Sequence, residues 1–285
     1  MALIDKLKNI ANAIRSKTNK SEEMTLEQMA SEVRGIDTLQ GLDFSSIYDQ
    51  EQSDEINQYY KDGIAYAEEI KTIVKSNKTI EVSTLDKRRL VFFPYVDLSH
   101  IRSISMPFFG AVYLDYISQH LNFSNTDCYR LLDSCYVKEV PPIDCSATKT
   151  LHLFAEYAPR LRTIYLMNTS HISVFYGIFY ESTLLTNIYI DSIISATDFN
   201  NAFINCKKLQ IFQAKYWKQS NIPINRSPEL SAESIHYIIQ NAMNVSDGAT
   251  ARTLTLHATA KTNWQNSEYY AQDMAVLTQK GITIA

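Results

Sequence analysis

Leu161-Arg162-Thr163-Ile164-Tyr165-Leu166, Leu185-Thr186-Asn187-Ile188-Tyr189-Ile190 and Leu209-Gln210-Ile211-Phe212-Gln213-Ala214 are copies of one pattern, each starting 24 positions after the last. A fainter copy opens at Val137, with Val140 three residues on. Small or sulfur-bearing residues precede each copy: Cys135, Ala158, Ser182 and Cys206. Further upstream lies an apolar pair: Leu131-Leu132, Phe154-Ala155, Ile178-Phe179 and Ala202-Phe203.

An L-x-x-I-x-L core at a fixed period of about 20–30 residues predicts a leucine-rich-repeat solenoid. Each unit supplies a short strand and a return segment, and none can bury its apolar face alone. The expected fold class is therefore α/β: a solenoid with a parallel sheet, preceded by a small α-helical N-terminal region. Leu161, Leu185 and Leu209 should share one buried column. Such scaffolds mostly present surfaces, so the first expectation is binding and not catalysis, although a fold does not dictate a function.

Working outward, residues 3–17 place Ile4, Leu7, Ile10, Ala11 and Ile14 at helical spacing. A second helix starts at Thr25, with Gln28 completing a capping-box arrangement. Residues 38–52 read as a linker. A longer helix over 53–74 carries Ile56, Tyr60, Ile64, Ala67, Ile70, Ile73 and Val74 on one side. It suits a cap on the solenoid's open end better than a coiled coil, because only three heptads fit and terminal apolar faces need cover. The expected domain order is a helical attachment segment at 1–37, a linker and capping helix at 38–78, the solenoid at 79–222 and C-terminal α/β capping repeats at 223–285. In the last part, Ser231 should cap a helix, 254–256 should form a strand, 266–279 a helix ending at Gly281, and 282–284 a final strand. Val96-Asp97-x-Ser99, Ile143-Asp144-x-Ser146 and Asn168-Thr169-Ser170 supply polar turn chemistry where the chain leaves a strand.

Composition narrows the function. A 45 % apolar content excludes wholesale disorder, and a net charge of −4 gives no basic footprint for nucleic acid. The N-terminus lacks the apolar core of a secretion signal, and no stretch reaches the roughly 20 apolar residues of a membrane helix. The expectation is a protein made in a cytoplasm, without membrane insertion or export by the usual route. The four cysteines, Cys128, Cys135, Cys145 and Cys206, fit reduced core thiols. A zinc site of Cys128, Cys135, Cys145 and His152 is the rival reading, but its spacings match no tight knuckle.

The opening I-D-K-L-K-N-I-A-N-A-I-R-S-K-T (4–18), with T-L-E-Q-M-A-S-E-V (25–33), looks like the N-terminal segment common in bacteriophage tail and baseplate-associated proteins. L-V-F-F-P-Y-V-D-L-S (90–99) and the 24-residue units resemble the BspA-type leucine-rich repeats of such proteins and of bacterial surface proteins. The ending, from Leu230-Ser231 to Gly281-Ile282-Thr283-Ile284-Ala285, is similar to the closing unit of those arrays. The usual polar consensus of the repeats is eroded in favour of Tyr and Ile. The resemblance implies a non-enzymatic virion protein, made in the host cytoplasm and placed in the tail. Its partners would be tail or baseplate proteins, a host-surface glycan or protein, or further copies of itself. A bacterial BspA-like adhesin or interaction module is the alternative.

No phosphate loop, G-x-S-x-G, H-E-x-x-H or paired C-x-x-C occurs, so no catalytic residue, metal ligand or cofactor is assigned. The positive candidate is a surface. Residues flanking the second apolar position of each strand should point away from the core: Glu139 and Pro141, Thr163 and Tyr165, Asn187 and Tyr189, Ile211 and Gln213. Strands about 4.8 Å apart would bring Tyr165 beside Tyr189. The candidate ligand-binding set is Thr163, Tyr165, Asn187, Tyr189 and Gln213, suited to a sugar ring or a protein loop.

Overall fold

The computed structural model describes residues 50–285 except 82, 119–122 and 125, with side chains from residue 61 onward. The two helices expected within 1–37 lie outside the described residues. Within them the chain forms a parallel-sheet solenoid of about five turns. Helix α1 (Gln50–Ser76) precedes it and extends past the expected 53–74 at both ends. Strands β1 (Thr79–Ile80), β3 (Ser103–Ser105) and β5 (Thr126–Asp127) form one parallel ladder. Strands β2 (Phe92–Phe93) and β4 (Tyr116–Ile117) form another. The main sheet is β6 (Ile143–Asp144), β7 (Thr163–Met167), β8 (Asn187–Ile190) and β9 (Ile211–Ala214), in chain order.

The 24-residue spacing is the register of that sheet. Ile164 pairs with Ile188 and Ile188 with Phe212, all three fully buried. Leu161, Leu185 and Leu209 lie behind them in the same core, each 0 % exposed. The alternation along β7 follows the two-residue period of a strand: Ile164 and Leu166 are buried, Tyr165 and Met167 exposed. Above the leucines, Phe154, Phe179 and Phe203 form an aromatic column with centroids 6.4 and 6.2 Å apart. Two of the four small residues that precede the copies make hydrogen bonds: Ser182 Oγ donates to Ala155 O at 2.6 Å, and Cys206 Sγ to Phe179 O at 3.1 Å.

One strand position departs from the expected spacing. Glu139 still bridges to Thr163, but Ile143 pairs with Leu166, so one residue is gained across Pro141-Pro142. Pro141, expected on the outer face, is buried. Two prolines without N–H groups cannot continue the ladder, and the chain slips by one residue there. The turn chemistry holds: Asp97 and Asp144 accept from the N–H of Ser99 and Ser146 at 2.8 and 2.9 Å.

Both ends of the solenoid are covered. Tyr66, Ile70 and Val74 of α1 enter the solenoid's core, and Gly63 lets the helix approach closely, since a Cβ there would stand 2.7 Å from Val91 Cβ. At the other end stand β10 (Ile222–Ile224), α2 (Ala232–Asn241), β11 (Arg252–Leu256), α3 (Ala258–Gln265), α4 (Tyr270–Lys280) and β12 (Ile282–Ile284). Strands β10, β11 and β12 make a separate parallel sheet, and β10 runs across the expected boundary at 222/223. Ser231 caps α2 and Gly281 ends α4 at φ 63°, as the sequence indicates. The helix expected over 266–279 is α4, which starts later, at Tyr270, and a further helix that was not expected, α3, precedes it. Ser267 Oγ donates back to Trp264 O there at 2.7 Å, ending α3 while the indole turns toward α4.

Candidate functional site

The outer face of β7, β8 and β9 gathers all five candidate residues. Thr163 is registered with Asn187, and Tyr165 with Tyr189, which in turn is registered with Gln213. Because strand side chains alternate, the inward Ile164, Ile188 and Phe212 anchor this face and hold the outward residues in rows. Asn187 Nδ2 donates to Thr163 Oγ1 at 3.2 Å, fixing one row. Among the described residues the Gln213 amide has no hydrogen-bond partner.

The tyrosine rings stack with centroids 4.5 Å apart and planes 5° from parallel. That separation matches the spacing of neighbouring strands, so the rings stand upright, face to face along the sheet. Each covers one face of the other. The two facing ring surfaces are thereby closed to any ligand. The pair forms a ridge along the sheet. Tyr165 is 44 % exposed and Tyr189 half-buried. Burial pushes the Tyr189 hydroxyl above its usual pKa, with Tyr165 and the Glu233 carboxylate adding to the shift.

Met167, 40 % exposed, extends the ridge along β7 and was not among the expected residues. The i, i+2, i+4 alternation of Thr163, Tyr165 and Met167 carries the signal that would have found it. Asp191, near the same end, is engaged elsewhere: its carboxylate accepts from the N–H of Thr169 at 3.0 Å and from that of Asn168.

The cysteines do not converge on a metal site. All four are free and buried, and burial pushes Cys135 and Cys206 up to about 12. His152 sits between the rings of Tyr129 and Tyr176, at 5.8 and 5.0 Å. Among the described residues no group of three or more His, Cys, Asp or Glu could hold a metal ion.

A polar cluster that the sequence reading missed joins the C-terminal helices. Asp273, 0 % exposed, accepts from His236 Nδ1 and Gln240 Nε2, each at 2.8 Å, and from Trp264 Nε1 at 2.7 Å. His236 also stacks on Tyr269 at 4.5 Å. One carboxylate thereby ties α2, α3 and α4 together. Its donors lie 9 to 37 residues away in sequence, so no local spacing marks it.

No protein-family model matches the chain, and no curated protein or solved structure is significantly similar to it.

Proposed function

We propose that the protein is a non-enzymatic binding component of a bacteriophage virion, placed in the tail or baseplate. Its solenoid sheet contacts a protein loop on the host surface or on a neighbouring virion protein. The observation that carries the binding reading is the Tyr165–Tyr189 ridge: two upright rings in register, with hydroxyl tips outward and hydrogen-bonding side chains in the flanking positions. Tyrosine gives contact area at low entropic cost and keeps a polar tip for the partner. Upright rings fit between the side chains of a loop better than against a sugar face. The virion placement is supported by the resemblance of residues 4–18 and 25–33 to tail-associated N-termini, and residues 1–37 are proposed as the attachment segment. A BspA-like leucine-rich-repeat adhesin is the second reading, supported by the L-V-F-F-P-Y-V-D-L-S segment and the repeats.

Mass spectrometry of purified particles tests the placement, which fails if the chain is absent from them. Tyr165→Ala with Tyr189→Ala tests the surface. Particle adsorption should fall while the circular-dichroism spectrum stays the same. Protease treatment of the cells should remove adsorption, and periodate oxidation of glycans should not, if the contact is with a host protein. Unchanged adsorption by the double variant would place recognition elsewhere.

A further inference from the structure

The return segments of the coils carry a second ladder. The N–H groups of Leu153, Ala155 and Tyr157 donate to the carbonyls of Tyr176, Ile178 and Tyr180 at 3.0, 2.8 and 2.8 Å. One coil later, Gly177, Phe179 and Glu181 donate to Asn200, Ala202 and Ile204 at 2.9, 3.1 and 2.9 Å. The intervening N–H groups close turns within their own coil: Ala202, Ile204 and Cys206 donate to Phe199, Asn201 and Phe203 at 3.0, 3.4 and 3.2 Å. Every second N–H therefore serves the next coil.

In the last coil those N–H groups belong to Asn201, Phe203 and Asn205, and among the described residues none has an acceptor. Asn201 and Asn205 repeat the left-handed φ of Gly177 and Glu181, 58° and 60° against 58° and 60°. The three donors thus keep the arrangement of the coil before. The chain that should supply the next acceptors has turned into β10, and a groove of about 270 Å³ lies between Asn201 and Phe203 on one side and Pro223 on the other. Asn201, Phe203, Pro223, Asn225 and Arg226 line it.

We propose that this groove binds an extended acidic peptide segment, which adds one more rung to the ladder. Donors at alternate residues call for carbonyls at alternate residues, the repeat of an extended chain. The edge offers backbone donors that the carbonyls of a bound peptide can satisfy. Arg226 is exposed and has no ion-pair partner among the described residues, and Lys207 is exposed nearby in sequence. The neighbouring carboxylate of Glu229 is already held by Lys208 Nζ at 2.5 Å and Gln210 Nε2 at 3.2 Å. Arg226 is the charged residue that lines the groove, and the Glu181 carboxylate near the donor row is held by Asn205 Nδ2 at 2.6 Å, so Arg226 favours carboxylates on the occupant.

The test uses the full-length protein and two end-blocked probes, acetyl-Glu-Val-Glu-Val-Glu-amide and acetyl-Lys-Val-Lys-Val-Lys-amide, with amide hydrogen exchange read by NMR. The acidic probe should slow exchange at Asn201, Phe203 and Asn205 and leave Ala202 and Ile204, already bonded, unchanged. Arg226→Glu should weaken binding about tenfold or more, as expected for losing a charge-assisted contact, with the unfolding midpoint unchanged. Replacing Tyr165 and Tyr189 by Ala should leave probe binding intact, which separates this site from the sheet face. The proposal is overturned by equal binding of the basic probe, by full affinity in Arg226→Glu, or by slow exchange at the three amides without any probe. Loss of probe binding in the double tyrosine variant would also overturn it.

Discussion

Ser234 Oγ accepts from the Phe212 N–H at 2.8 Å and donates to the Phe212 carbonyl at 2.9 Å. A single hydroxyl thus does for β9 what a further strand would have done. Ser231 N–H adds a bond to Gln210 O at 2.9 Å, so the first turn of α2 lies along the sheet edge. Covering an edge in this way removes a template for pairing with other chains. Ser234→Ala leaves both Phe212 groups buried without partners, and should cost about 1–3 kcal/mol. Urea unfolding measures the loss, and an unchanged midpoint would show that the edge is closed by something else.

Leu185 lies in the middle of the leucine column, 0 % exposed, with Leu161 and Leu209 in the coils on either side. Coils above and below limit how far the site can collapse. Leu185→Ala should cost about 2–5 kcal/mol by denaturant unfolding, the range for a truncated core leucine. A cost below about 1 kcal/mol would mean that the column is not close-packed.

Asp273 holds His236, Gln240 and Trp264 at once. Asp273→Ala removes the shared acceptor and strands a buried indole N–H, with an expected cost of about 3 kcal/mol or more. The fluorescence of Trp264 should shift to the red as α4 loosens from α2 and α3. Stability and emission both left unchanged would show that apolar contacts alone hold the three helices.

Alkaline titration tests the tyrosine ridge. The Tyr189 pKa lies above the ordinary 10.0, chiefly through burial, so the folded protein prefers its neutral form. That contribution to stability is complete below the unfolded-state value and is lost as pH rises through the raised folded value. Phenolate absorbance should therefore show Tyr189 ionising later than a free tyrosine, and Tyr189→Phe should remove the matching part of the alkaline loss of stability. Ionisation of Tyr189 at or below the ordinary value would contradict the upright, partly covered ring.

Much of the candidate face was legible because a solenoid writes its tertiary contacts into its sequence period. Ile164, Ile188 and Phe212 are 24 apart in the chain and adjacent in the sheet, so counting residues gives the register. Two-residue alternation then places Thr163, Tyr165, Asn187, Tyr189 and Gln213 outward. What counting could not give is the plane of each ring. Tyr165 and Tyr189 stand face to face because strand spacing matches stacking distance, which closes the facing ring surfaces to a ligand.

The sequence by itself determined the parallel ladder, the leucine column, the Ser231 cap and the Gly281 stop. Each depends on residues repeated at a fixed interval or on one local turn. Only the tertiary structure decided the slip at Pro141-Pro142, the extra helix α3, the edge closure by Ser234 and the open donors of Asn201, Phe203 and Asn205. These arise where the repeat ends or misses a residue. Their partners are then set by which distant element fills the space, and no period in the chain encodes that choice.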